Sequence, residues 1–208
     1  KEAGTYTFRG LTFADSISMD KKIVLTILEK CMGYRRGQEV LVVCDERLSA
    51  LAYDFYKTAT YLNIEVTYCL IKSRSMHGEE PTGAVACALQ RADIALLITS
   101  MSLSHTQARK IASKRFGTRI ASLPGITQEI LERCILVDYP YLWDKSKKVA
   151  KLFSKGKELR VTTPSGTDLT MSIRGRRGFC DNGIYTKRGS FGNLPAGEAC
   201  ISPLEGSA

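Results

Sequence analysis

The chain has 208 residues, of which 44% are hydrophobic and 25% charged, proportions that exclude a disordered protein and allow a real core. No apolar run approaches the ~20 residues that cross a bilayer and no basic, apolar leader opens the sequence, so no membrane role is expected. The formal net charge of +9 raises nucleic acid as a partner, but aromatics are not interleaved with the basic residues as base stacking requires, so the excess reads as a solvated helix face.

Residues 1–19 carry no hydrophobic period, although Tyr6, Phe8, Leu11 and Phe13 could anchor them to a surface. From Asp20 the period is helical: Ile23, Val24, Ile27, Leu28 and Cys31 share a face, and Gly33 marks the stop. Residues 39–44 are a continuous apolar run, as in a strand covered on both faces. Asp45 then stands where a helix cap belongs, before Leu48, Leu51, Ala52, Phe55, Ala59 and Leu62 at helical spacing. Further strands at 64–71, 94–98, 119–122 and 135–137 alternate with helices at 82–90, 105–115 and 127–133. This alternation predicts an α/β domain over residues 1–138, a mainly parallel sheet flanked by helices. No Gly-rich dinucleotide fingerprint follows the first strand and no P-loop occurs.

Residues 139–156 read as a connecting helix that packs Trp143, Val149 and Leu152 and exposes its lysines. The period then changes to two. Leu159 and Val161, a Pro164-Ser165-Gly166 turn, and Leu169, Met171 and Ile173 predict a hairpin, the beginning of a β-rich domain over 157–208. The seven cysteines form no C-x-x-C pair and sit mostly in apolar runs, which points to a reduced, cytoplasmic protein without a cysteine-ligated zinc site.

Two stretches could carry chemistry. Residues 99–109 concentrate polar side chains after a parallel strand, where open α/β sheets place ligands. There His105 and Arg109, four apart, would share a helix face and contact substrate or an anion; the alternative is a helix start capped by Ser102 or Ser104. Residues 189–208 surround Glu198 with Asn193, Pro195 and Gly197, setting a carboxylate at a chain bend held by a short strand over 199–201. Such an acid suits a metal ligand or general base, and equally an exposed surface loop.

The motifs Ser102-Leu103-Ser104-His105-Thr106, Ala121-Ser122-Leu123-Pro124-Gly125, Gly166-Thr167-Asp168-Leu169 and Asn193-Leu194-Pro195-Ala196-Gly197-Glu198 occur in this order. Together they resemble aminopeptidase T, of the leucyl aminopeptidase-like metallopeptidases, over the front part of such an enzyme. The resemblance implies a homodimer that releases N-terminal residues from a peptide substrate by a water activated between two divalent metal ions (Zn, Co or Mn). It places a metal ligand at Glu198 and leaves substrate contacts to Asn193, His105 and Arg109. The remaining ligands come later in that family's chain, so the expected natural protein is longer and the 208 residues alone are expected to be inactive. Gly197 departs from the pattern, standing where members of that group commonly carry another acid. The similar 2,5-dihydroxypyridine ring-cleaving dioxygenases, which use a single non-haem iron (Fe), are the alternative. A non-catalytic binding or dimerisation domain is a third reading.

Overall fold

The structure, a computed structural model, describes residues 19–207; the anchor expected at Tyr6, Phe8, Leu11 and Phe13 lies outside them. Helix α1, Lys21–Leu25, starts where the Asp20 side chain accepts a hydrogen bond from the Lys22 N–H, and it widens into a π-helical turn over Thr26–Cys31. Strand β1, Val40–Asp45, and helix α2, Ser49–Tyr61, follow, then β2, Val66–Ile71, and α3, Gly83–Arg91. Next come β3, Ile94–Ile98, α4, Gln107–Ile111, with a second π-helical turn over Ala112–Phe116, and β4, Arg119–Ser122. Helices α5, Gln128–Cys134, and α6, Tyr139–Lys155, complete this part. The late segment holds β5, Glu158–Thr162, β6, Asp168–Ser172, β7, Phe179–Asp181, β8, Phe191–Asn193, and β9, Glu198–Cys200.

The main sheet has the order β2-β1-β3-β4-β8 and is parallel throughout. Alternation along its central strands splits the core in two. Val40, Val42, Cys44, Ile94 and Leu96 face α1, α2 and α5, whereas Leu41, Val43, Ala95 and Leu97 face α3 and α4. All of these side chains are buried, so the sheet is covered on both sides as its unbroken apolar runs require. Two antiparallel pairs stand apart from it, the expected hairpin β5-β6 and the ribbon β7-β9. No described helix is long and apolar enough to cross a membrane, and all seven cysteines are free thiols.

Four local expectations are corrected. Residues 135–137 are not a strand: the Ile135 N–H donates to the Leu131 carbonyl, so this apolar run is the exit of α5, with Ile135 buried in the core. Asp45 stands ahead of α2 rather than at its cap position: its Oδ1 accepts from the Leu48 N–H at 3.3 Å, just before the helix begins at Ser49. The buried Asp45 carboxylate also turns back across the sheet, accepting from the Ser100 N–H at 2.7 Å and the Ser100 hydroxyl at 2.6 Å. Helix α4 begins at Gln107 and its cap is Thr106, whose hydroxyl accepts from the Arg109 N–H, rather than Ser102 or Ser104. Finally, α6 buries Tyr139, Ser146 and Ala150, while Trp143 and Leu152 are 46% and 68% exposed. The helix lies close upon β7 and β9, the backbone of Gly178 passing directly over the Ala150 carbonyl.

Candidate functional site

Strand β8 brings the late segment back to the main sheet. Ile120 pairs with Phe191, Ala121 with Gly192 and Ser122 with Asn193, and the Leu194 N–H donates to the Ser122 carbonyl at 3.0 Å. Gly192 is needed there, because a Cβ would collide with the ring of Tyr185. Three residues suffice to aim Asn193 past the carboxyl edge of the sheet, the edge at which open α/β folds bind ligands.

From there the chain turns through Pro195 and Gly197 into β9. In the ribbon Asp181 lies directly opposite Glu198. Opposed residues of an antiparallel pair share a face with Cβ atoms ~4.5–5.5 Å apart, so the Asp181 and Glu198 side chains leave the ribbon on one face as neighbours. Asp181 is held in place: the Tyr185 hydroxyl is 2.6 Å from Asp181 Oδ1 and 2.6 Å from the Asn193 carbonyl, one proton serving two acceptors. Burial, followed by the hydrogen bond and charge of Asp181, drives the Tyr185 phenol far above its ordinary value, so it stays protonated. Cys200, next along β9 on the same face, has its thiol raised by burial first and then by Glu198.

Asn193 and Glu198 line one cleft of about 470 Å³, walled by Leu142, Val137 and Arg133. Glu198 is exposed to it. Arg109, by contrast, is buried behind this edge. Its Nε donates to the Ser104 carbonyl at 2.6 Å and its guanidinium lies 3.9 Å above the Phe191 ring, while burial pulls its pKa down. The Ser104 hydroxyl reaches Asn193 Oδ1 at 3.5 Å, so Arg109, Ser104 and Asn193 form a chain from the interior to the cleft. His105 does not join them; it is exposed, ahead of the helix, and shares no face with buried Arg109. The other histidine, His77, crosses to this edge and accepts from the Ser102 N–H at Nδ1.

Among the described residues no three His, Cys, Asp or Glu converge on one point. The residues present nonetheless fit part of a metal's ligand set: an exposed carboxylate with a second one opposite, oxygen donors that suit a divalent cation, short of the about three protein ligands of a catalytic site. Tyr185 and the pairing of Asp181 with Glu198 were not legible as site features, since neither lies in a spacing that marks them. Asp45 carried a visible signal, an acid ending an apolar strand, but that signal also fits a cap.

A parallel sheet of this order, covered on both faces and extended by a late strand that delivers polar groups to its carboxyl edge, defines an open, doubly wound α/β protein. The profile of the 2,5-dihydroxypyridine 5,6-dioxygenase family, NicX, matches residues 28–208, and the chain belongs to that family. The 2,5-dihydroxypyridine dioxygenase of Pseudomonas putida KT2440 has a similar structure, with a TM-score of 0.66 and 17% identity over 90% of this chain and 57% of that one. Wild-type AmpT from Thermus thermophilus is also similar, with a TM-score of 0.54 and 15% identity over 88% of this chain and 61% of that one. The chain thus spans less than two thirds of either. At such identities the likeness is one of fold, and the fold expected from the aminopeptidase T resemblance is shared by both. No curated protein matches the sequence.

Proposed function

We propose that this chain is part of a metal-dependent dioxygenase that opens a dihydroxylated nitrogen-containing aromatic ring, with Glu198 as one carboxylate ligand of its metal. The family match over residues 28–208 supports this reading above the others, and the higher TM-score of the dioxygenase structure agrees with it. Bound iron would supply the centre at which dioxygen and the ring react. The residues of this chain bind and orient. Glu198 offers an accessible carboxylate, Tyr185 pins Asp181 beside it, and the Asn193 amide, lining the same cleft, can hydrogen-bond a ring hydroxyl. Arg109 acts at one remove, holding Phe191 and so the end of β8.

The opposed Asp181 and Glu198 favour a second reading, an aminopeptidase, because carboxylates in such proximity can bridge two metal ions. One experiment separates the two. The longest natural form of the protein is loaded anaerobically with iron(II) and given 2,5-dihydroxypyridine and oxygen, and in parallel is loaded with zinc, cobalt or manganese and given aminoacyl anilides. Oxygen uptake with loss of the ring's absorbance, abolished in Glu198→Ala, is the expected result. Anilide hydrolysis without oxygen uptake would move the assignment to the peptidase, and metal binding unaltered in Glu198→Ala would remove Glu198 from the centre.

A further inference from the structure

The opposite, amino edge of the sheet carries a cavity that the proposed activity does not use. It measures about 530 Å³, within the range of small-molecule sites, and adjoins the first residues of β1, β3 and β4. Arg35, Arg119 and Arg188 line it against a single acid, Asp93, three positive charges to one negative. Arg119 is 7% exposed. Its Nη1 donates to the Met32 and Gly33 carbonyls at 2.6 and 2.7 Å and its Nη2 to Gln38 Oε1 at 2.7 Å, all neutral acceptors.

Among the described residues none of the three arginines has a carboxylate at ion-pair distance. Asp93 favours the charge on Arg119, yet its Oδ2 is occupied by the Glu39 N–H at 2.9 Å. Burial and the nearby Arg35 both oppose the Arg119 charge, so this corner holds more positive charge than the protein itself neutralises. Arg188 is steadied by donating from Nη2 to the Phe116 carbonyl at 2.7 Å, and it lies across Gly117, where a Cβ would collide with it. Guanidinium groups fixed by neutral acceptors and lacking carboxylate partners are suited to the oxygens of a phosphoryl group. Tyr34 lines the same cavity.

We propose that this cavity is a second binding site, for a phosphorylated small molecule whose phosphoryl group lies among Arg35, Arg119 and Arg188. A nucleotide and free phosphate share that chemistry, and calorimetric titration of the full natural protein at low salt with ADP and with inorganic phosphate tells them apart. Binding should weaken by about tenfold or more in Arg35→Glu and in Arg188→Glu, each removing a charged contact, and stay unchanged in Lys151→Glu on the exposed face of α6. Unaltered melting temperatures would show that these surface variants fold. ADP binding tighter than phosphate, with the advantage lost in Tyr34→Ala, would assign a nucleotide; equal affinities would assign the phosphoryl group alone. No binding of either at millimolar concentration, or an equal loss in Lys151→Glu, would overturn the proposal.

Discussion

Arg109 is a buried cation satisfied by a carbonyl and a ring rather than by a carboxylate. Lysine cannot reproduce the planar stack on Phe191 together with the directed Nε bond to Ser104. Arg109→Lys should therefore cost about 1–3 kcal/mol, read as a lower urea midpoint at unchanged slope. Cys31 allows a pH test. Burial pushes its thiol from 9.0 up to about 11. The folded state thus keeps a proton that the unfolded chain releases, so the stabilisation is full below pH 9 and disappears as pH rises towards 11. The loss should be on the order of 2 kcal/mol, and Cys31→Ala, compared with its own value at neutral pH, should lack this part of the alkaline decline.

At the scale of elements, the long apolar runs were legible because a strand buried on both faces needs unbroken hydrophobicity: residues 39–44 and 94–98 lie where β1 and β3 form. Contacts that depend on closeness were not legible. In α6 the large apolar residues Trp143 and Leu152 point outward and the small Ser146 and Ala150 point inward, because the chain at Gly178 crosses the helix closely. A Cβ on Gly178 would stand 2.5 Å from the Ala150 carbonyl oxygen, a backbone atom that cannot swing aside. Gly178→Ala should push β7 off α6 and cost roughly 1–3 kcal/mol in a denaturation experiment. Because β7 carries Asp181, the same variant should weaken binding of a divalent ion in the Glu198 cleft, whereas a change confined to stability would leave that affinity intact.

For the molecule as a whole, the late segment belongs to the main sheet as well as to its own ribbons. Turn residues mark Asn193 and Glu198 in the sequence, but β8 is a Phe-Gly-Asn tripeptide too short for any period, and its place is set by the exposed edge of β4. The tie is reinforced away from the strand: the Tyr185 N–H donates to the Cys31 carbonyl at 2.6 Å, and the Tyr185 ring enters the core beside Tyr139 and Leu194. A chain shortened to end at Lys155 would retain four strands and all six helices, yet it would uncover the β4 edge at Ile120, remove Phe191 from Arg109 and open the core where Tyr185 sits. An unpaired apolar edge is a template for association. The shortened chain should therefore melt at lower temperature than the 208-residue chain and elute as aggregates in size-exclusion chromatography. Adding residues 157–208 as a separate polypeptide should restore part of the lost stability, because the contacts made by β8 and Tyr185 are non-covalent. A shortened chain that remains monomeric and equally stable would mean that the late segment is only appended to the sheet.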